Sequence, residues 1–253
     1  MASSRSKSTC QVAVALTIAL GCATANAEEE AAAPRATTSP HGPAASSGAP
    51  VQRPAVRPTH LVIFLHGLRG SGSVMEPFGT SWKKVLGGTK FVSPDAPFRN
   101  RGGGREWFDV DDQALRPDRI AGARRAFDDL VRDIVQREGF ENDLDKVAFV
   151  GVSQGAIMGL DAVASGRWKV GAIVSFAGLL PLPPKASANA TPVLLLHGGA
   201  DRRIPATASV AAANQLKSAG FDVTVEVVPG VGHTISSEEA SKALRFLAEQ
   251  FES

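Results

Sequence analysis

Cysteine is nearly absent from this sequence. The 253 residues include only Cys10 and Cys22, and both lie in an N-terminal segment that has the pattern of a cleaved leader. Without them the mature chain has no thiol and no disulfide. We therefore expect the fold to depend on its packed core alone.

Long hydrophobic runs and metal-binding patterns are also missing. No stretch beyond the N-terminal segment reaches the roughly 18 uninterrupted apolar residues of a membrane-spanning helix, so we predict no transmembrane anchor. The sequence has no His-x-x-x-His and no cysteine pair at ligand spacing. This argues against a catalytic metal, and we expect no cofactor.

Neither sign of charge is in excess. The chain has 27 basic and 25 acidic residues, and loss of Arg5 and Lys7 with the leader lowers the net charge from +2 to 0. A protein without a basic surplus is not expected to bind nucleic acid or an anionic membrane surface. The sequence does not indicate an oligomeric state.

The N-terminus has the three parts of an export signal. Arg5 and Lys7 precede an uncharged apolar run at 12–20, and Ala25-Asn26-Ala27 has the small-x-small pattern of a signal-peptidase site. We predict that residues 1–27 are removed and that the protein is exported, either to the periplasm or out of the cell.

A lipoprotein is the alternative for this segment. Cys22 follows Ala19-Leu20-Gly21, a loose lipid-attachment pattern that lacks leucine three places before the cysteine. A mature chain that begins at Glu28 would exclude a lipid anchor at Cys22.

The segment 28–57 has the composition of a spacer. It is rich in Ala, Pro, Ser, Thr and Gly and has few large apolar residues. Such a segment cannot bury enough surface to offset its ordering entropy, so we predict that it is disordered. No motif in it indicates a function.

From residue 58 onward, short apolar runs alternate with amphipathic segments, which is typical of a parallel sheet covered by helices. We predict one α/β domain over 58–253, with a mostly parallel sheet of about six to seven strands and helices on both faces. Strands are expected at 61–65, 90–93, 147–150, 170–175, 193–196 and 223–228. Helices are expected at 117–139, 154–164, 205–218 and 236–251.

The apolar run at 147–150 leads into Gly151-Val152-Ser153-Gln154-Gly155. This G-x-S-x-G pattern fits a nucleophile elbow, a sharp strand-to-helix turn with the serine at its tip. The pattern alone is weak, since composition would produce about 0.2 matches by chance. An ordinary helix N-cap serine is the alternative.

An acid and a histidine follow in the order that an elbow requires. Asp201 comes after the strand at 193–196, and His233 comes after the strand at 223–228. The order Ser153, Asp201, His233 is that of the α/β-hydrolase fold. We therefore predict a catalytic triad in which His233 is the base and Asp201 orients it.

The remaining acids and histidines fit other roles better. Asp95 also follows a strand and is the rival to the triad acid, whereas Asp109 is expected in a loop and Asp161 on a helix surface. His66 and His197 each follow a strand and precede glycine, so we predict structural histidines at the strand ends.

Two features remain open from the residues alone. The glycine-rich loop 66–72 could present backbone N–H groups to an oxyanion, or it could be an ordinary tight turn. A set of large apolar residues could form either a substrate pocket or part of the core. The set consists of Phe78, Trp82, Trp107, Phe108, Leu179 and Leu180.

From residue 60 to the C-terminus the chain resembles the phospholipase/carboxylesterase family of α/β hydrolases. The resemblance implies that the backbone N–H groups of Leu68 and Gln154 form the oxyanion hole and that the loop of Trp107 borders the acyl site. Dienelactone hydrolases look similar, but they use a cysteine nucleophile, which this chain lacks. The matching stretches are Leu65-His66-Gly67-Leu68, Trp107-Phe108-Asp109, Gly151-Val152-Ser153-Gln154-Gly155, His197-Gly198-x-x-Asp201 with Ile204-Pro205, and Gly232-His233.

One loop departs from the family. Members commonly have Gly-Asp-x-Gly after the oxyanion residue, where this chain has Arg69-Gly70-Ser71-Gly72. Arg69 could favour substrates with an acidic group, or it could face solvent as most arginines do.

The resemblance and the triad together predict an exported serine hydrolase that cleaves small-molecule carboxylic esters through an acyl-enzyme. A thioesterase, a peptidase or a polyester depolymerase on the same fold are the alternatives among enzymes, since they share the triad chemistry. A catalytically silent binding module is the alternative from another class.

Overall fold

The computed structural model describes residues 57–110, 116–186 and 191–252. The predicted leader at 1–27, with Cys10 and Cys22, lies outside these ranges, as does the predicted spacer up to residue 56. Within the described ranges, no helix has the length and apolar character needed to cross a membrane.

The protein is built on a six-stranded sheet in which every neighbouring pair of strands is parallel. Along the sheet the order is β2-β1-β5-β6-β7-β8, and β3 and β4 form a separate antiparallel ribbon. This confirms the mostly parallel sheet predicted from the sequence. The strands are β1 His60–Leu65, β2 Thr89–Val92, β3 Phe98–Arg99, β4 Arg105–Glu106, β5 Val147–Val152, β6 Ala172–Phe176, β7 Val193–Gly198 and β8 Val223–Val228.

Helices cover both faces of the sheet. On one face α2, α3 and α4 pack in one core cluster, and on the other α1 and α5 pack in a second cluster. The helices are α1 Gly72–Trp82, α2 Pro117–Glu138, α3 Gln154–Ala164, α4 Thr207–Ser218 and α5 Ser237–Phe251, with a short 3₁₀ turn at Leu144–Lys146.

β1 shows why the central strands are continuous apolar runs. Leu61, Ile63 and Leu65 contribute to the first cluster, and Val62 and Phe64 to the second. Successive side chains of a strand point to opposite faces, so a strand covered by helices on both sides needs apolar residues at every position.

Helix α1 and the ribbon of β3 and β4 were not indicated by the sequence. Helix α1 includes Pro77 and two glycines, so its sequence has little helical character. Gly79 is required there because a Cβ at this position would lie 2.9 Å from Cβ of Phe91 on β2. The ribbon of β3 and β4 has two residues per strand, too few to show an alternating pattern.

The prediction that Asp161 is a helix surface residue is wrong. All of α3 is buried between the sheet and α2, and the Asp161 side chain is 2% exposed. Its carboxylate accepts hydrogen bonds from Arg124 at 2.7 and 2.9 Å and from Arg167 at 2.9 Å. A buried carboxylate needs such partners, so Asp161 joins α3 to α2.

Candidate active site

Ser153 lies at the sharp junction between β5 and α3. Its backbone φ of 52° lies in a region that residues other than glycine rarely adopt. The flanking glycines are required by close contacts: a Cβ at Gly151 would lie 2.6 Å from the backbone of Ala156, and one at Gly155 would lie 2.3 Å from the carbonyl oxygen of Leu65. Ser153 makes no side-chain cap to α3, which removes the N-cap alternative.

The three residues of the predicted triad form one hydrogen-bonded chain. The Ser153 hydroxyl lies 2.9 Å from Nε2 of His233, and Nδ1 of His233 lies 2.7 Å from Oδ2 of Asp201. An imidazole that donates from Nδ1 to a carboxylate leaves Nε2 free to accept the hydroxyl proton. The His233 side chain is 15% exposed and that of Asp201 is fully buried.

Asp201 is held ionised by its surroundings. Burial alone would raise the pKa of this carboxyl, but the hydrogen bond from His233 and the backbone N–H groups of Arg203 and Ile204 outweigh it and lower the pKa. The two N–H groups bind Oδ1 at 2.8 and 3.1 Å. Oδ2 is thereby left to orient the histidine.

His197 occupies the buried space behind this carboxylate. Its Nε2 lies 2.8 Å from the carbonyl oxygen of Ile204 and 3.2 Å from Oδ2 of Asp201. Its Nδ1 lies 2.7 Å from the hydroxyl of Ser209 on α4. His197 therefore ties the loop of the acid to the core and does not reach Ser153 through any of these contacts.

His66 plays a similar part at the end of β1. Its Nδ1 donates to the carbonyl oxygen of Gly67 at 2.7 Å, and its Nε2 accepts from the N–H of Ala96 at 2.9 Å. Burial lowers the pKa of His66. Because Nε2 acts as an acceptor here, His66 is neutral in this arrangement.

The loop that follows His66 is fixed in shape by hydrogen bonds from its own backbone and from Trp107. Arg69 N–H donates to the carbonyl of Arg105 at 2.8 Å, and Trp107 Nε1 donates to the carbonyl of His66 at 2.8 Å. The N–H of Leu68 binds no backbone acceptor among the described residues. As the first residue of α3, Gln154 also has no carbonyl one turn earlier to accept its N–H.

The side chain of Gln154 has a role that sequence reasoning missed. Its Oε1 accepts from the N–H of Trp107 at 2.8 Å, and its Nε2 donates to the carbonyl oxygen of Phe108 at 2.6 Å. The residue next to the nucleophile thus binds the segment that supports the loop of His66. In the sequence, the sign of this contact is the long amide side chain of Gln154 directly after the elbow serine.

Ser153 and His233 open into a cavity of about 370 Å³. Apart from the elbow and loop backbone, its wall is mostly apolar, with one arginine, Arg203. The apolar lining residues are Leu68, Val74, Met75, Phe78, Val152 and Ile235. Several of these went unnoticed in the sequence because α1 was not predicted, although Val152, Arg203 and Ile235 lie within two residues of a triad member.

Of the predicted aromatic pocket residues, Phe78 alone lines this cavity among the described residues. Trp82 is buried against Phe64 and Phe78, with ring centroids 5.5 and 5.9 Å apart. Trp107 packs on Phe127 at 5.6 Å, so its ring fills the core beneath the loop. For these two tryptophans the core alternative fits the structure.

The other predicted pocket positions also lie elsewhere. Phe108 is buried and lines a separate surface cavity, while Leu179 and Leu180 pack partly buried on the first core cluster. Arg69 is exposed, and its Nε donates to Oδ1 of Asn100 at 3.1 Å. Arg69 is not among the residues that line the cavity.

The rival acid Asp95 is used differently. Its Oδ1 accepts from the N–H of Gly72 at 2.8 Å, at the start of α1, and its Oδ2 lies 3.7 Å from Nε of Arg105. Asp109 is exposed and pairs with Arg119 at 2.9 Å. In the described ranges no group of His, Cys, Asp and Glu side chains is arranged to hold a metal ion.

Comparison with known proteins agrees with this geometry. Residues 46–251 match the model of the Phospholipase/Carboxylesterase family. The chain is 30% identical over 209 residues to "Esterase YpfH" of Escherichia coli (78% of this chain, 85% of the relative), and 27% identical over 214 residues to "Acyl-protein thioesterase 1 homolog 1" of Dictyostelium discoideum (78% and 93%).

Solved structures show the same likeness. The crystal structure of esterase PE8 superimposes with a TM-score of 0.69 at 32% identity, covering 76% of this chain and 92% of that one. The family model matches most of the chain, and the PE8 structure shares the fold at 32% identity. Both findings indicate the same architecture. The chain is therefore a carboxylic ester hydrolase that belongs to the phospholipase/carboxylesterase family of α/β hydrolases.

Proposed function

We propose that this protein hydrolyses small-molecule carboxylic esters with Ser153 as the nucleophile, His233 as the base and Asp201 as its orienting acid, through an acyl-enzyme. The observation that carries the proposal is the hydrogen-bonded chain from the Ser153 hydroxyl to the Asp201 carboxylate, at 2.9 and 2.7 Å, with the serine on a strained elbow. Serine is a weak nucleophile until such a base takes its proton.

The first half of the reaction forms the acyl-enzyme. Oγ of Ser153 attacks the ester carbonyl while Nε2 of His233 takes the hydroxyl proton, and Asp201 stabilises the imidazolium. The carbonyl oxygen becomes an oxyanion, for which the N–H groups of Leu68 and Gln154 are the proposed donors. The intermediate collapses, the C–O bond to the alcohol breaks, and His233 gives its proton to the leaving alcohol.

Water completes the cycle. It loses a proton to Nε2 of His233 as it attacks the acyl carbon. When the second intermediate collapses, the bond between the acyl carbon and Oγ of Ser153 breaks, His233 returns its proton to Oγ, and the carboxylic acid is released. The apolar walls of the cavity, which include Val74, Met75 and Phe78, suit an apolar part of the substrate. A thioester would pass through the same acyl-enzyme, and a panel of oxygen esters, thioesters and peptides would rank these substrates.

Replacement of Ser153 tests the nucleophile. Ser153→Ala should lower kcat for a 4-nitrophenyl ester by about 10⁴- to 10⁶-fold, with the fold intact, because it removes the hydroxyl that lies 2.9 Å from Nε2 of His233. A fluorophosphonate should label wild type and the control Ser241→Ala, whose hydroxyl lies on the exposed side of α5. A Ser153→Ala enzyme with near-wild-type turnover contradicts the assignment, and a wild type without label supports a silent binding module.

Export is part of the same proposal. It is supported by the basic, apolar and small-residue pattern of residues 1–27, not by any described part of the structure. Mass spectrometry of the mature protein should find Glu28 as the first residue. A lipid-modified Cys22 would replace this with the lipoprotein alternative.

A further inference from the structure

Arg203 lies at the active-site cavity and is anchored to the triad by its backbone. Its N–H donates to Oδ1 of Asp201 at 2.8 Å, while the residue itself is exposed on the cavity wall. Its position relative to Asp201 is therefore fixed by the same contact that orients the carboxylate, and the long side chain extends from that fixed point.

The charge of Arg203 is not balanced within the cavity. No Asp, Glu or Lys occurs among the described residues that line it, and the neighbouring His66 is neutral. The guanidinium of Arg203 makes no ion pair or side-chain hydrogen bond with any described residue, whereas the guanidinium of Arg69 is held by Asn100.

The cavity is small enough to bring a bound substrate close to this charge. Its volume of about 370 Å³ lies near the lower end of the range for small-molecule sites, about 300–1,000 Å³. An ester whose carbonyl lies at Ser153 would place the groups next to its scissile bond among the same lining residues. A guanidinium presents a planar fork that binds carboxylate or phosphate with two hydrogen bonds.

We propose that Arg203 is a specificity-determining residue that selects esters carrying a carboxylate or phosphate group near the scissile bond. This inference rests on the proposed function, because it names the substrate class of the same site. It gives Arg203 the role that the sequence left open for Arg69, which could have favoured acidic substrates or faced solvent.

The first test places the anion on the acyl side. The 4-nitrophenyl half-ester of adipic acid and the neutral, similarly shaped 4-nitrophenyl 6-methylheptanoate are compared by the ratio of their kcat/KM values. Arg203→Ala should lower this anionic-to-neutral ratio by about tenfold, since charge-assisted hydrogen bonds are about twice as strong as neutral ones and partly screened at a cavity mouth. Arg203→Lys should retain part of the ratio, because it keeps the charge and loses the fork.

Two neighbouring arginines serve as controls. Arg202 is exposed and does not line the cavity, and Arg69 is bound to Asn100. Arg202→Ala and Arg69→Ala should leave the ratio unchanged. For wild type, raising the ionic strength should lower the ratio, because the charge lies where solvent ions can screen it.

The second test places the anion on the alcohol side. Release of butanoate from 1-butanoylglycerol 3-phosphate is compared with release from 1-butanoylglycerol for the same variants. A ratio that falls in Arg203→Ala in one series assigns the guanidinium to that side of the ester. If wild type cleaves the neutral esters and Arg203→Ala leaves both ratios unchanged, the role of Arg203 is overturned and the proposed function stands. If wild type cleaves none of the four esters, the proposed function fails and the role of Arg203 with it.

Discussion

Two loops of this protein follow a His-Gly dipeptide, and they bring different chemical groups to the sheet edge. His66-Gly67 follows β1 and His197-Gly198 ends β7, both at the carboxyl edge of the parallel sheet. The loop after β1 carries the N–H of Leu68, which binds no backbone acceptor within the part of the chain that the structure describes, and the loop after β7 presents the carboxylate of Asp201. The shared dipeptide supports each loop, and the residues after it decide what the loop contributes.

The histidines of these loops differ from His233, the proposed base, in their hydrogen-bond partners. Both ring nitrogens of His66 bind backbone groups, and those of His197 bind a backbone carbonyl and the Ser209 hydroxyl. His233 instead bridges the side chains of Ser153 and Asp201. All three histidines follow apolar strands, so the difference lies in their partners.

The largest expected effect comes from removing the charge that distinguishes the second loop. Asp201→Asn should lower kcat by about 10³- to 10⁴-fold with a well-folded protein, because an amide cannot stabilise the imidazolium and favours the wrong tautomer of His233. Steady-state kinetics on a 4-nitrophenyl ester measure this loss. Asp95→Asn is the matched control, since that acid binds Gly72 at the same sheet edge. Equal losses in the two variants would mean that the loops do not differ as described.

An intermediate effect is expected from the paired glycines. A Cβ at Gly198 would lie 2.3 Å from the carbonyl oxygen of Val231 and would displace the segment that carries His233, whereas one at Gly67 would meet Cβ of Ser153 at 3.5 Å, an ordinary contact. Gly198→Ala should therefore lower the free energy of unfolding by about 1–3 kcal/mol, and Gly67→Ala by less. Urea denaturation of both variants measures the difference, and indistinguishable midpoints would refute it.

The smallest effect is a difference in acid sensitivity between the loops. Burial lowers the pKa of His66 below 6.5, so the unfolded chain takes up the proton first, and the stability from neutral His66 is lost as the pH falls from about 6.5 through the lowered pKa. Asp201 also has a lowered pKa, but its contribution is present above 3.8 and is lost only at more acidic pH.

The measurement is the free energy of unfolding against pH for wild type, His66→Gln and Asp201→Asn. The difference in free energy of unfolding between wild type and His66→Gln should narrow below about pH 6.5, while the difference between wild type and Asp201→Asn should narrow only as the pH falls below about 3.8. His60, whose pKa is also lowered, is common to all three proteins and cancels in these differences. A difference between wild type and His66→Gln that is independent of pH would contradict the burial argument.

The positions of the strands could be predicted because short segments of the sequence indicate them. The apolar runs at 147–150 and 193–196 lie within β5 and β7, since a strand covered on both faces needs apolar residues at successive positions. The strand predicted at 223–228 is β8, an edge strand that is only partly buried. Gly139 ends α2 with a φ of 77°, as its position predicted. Helix α1 was not predicted because its proline and glycines have low helix propensity. Tertiary contacts stabilise this helix instead.

By itself, the sequence determined the α/β architecture, the elbow at Ser153 and the chain order of Ser153, Asp201 and His233, because short motifs and hydrophobic runs specify local backbone. The tertiary structure alone decided that Asp161 is buried, that Trp82 and Trp107 belong to the core, and that Arg203 rather than Arg69 lines the cavity. Burial and cavity walls depend on which distant segments meet, and residue type or spacing along the chain does not encode that meeting.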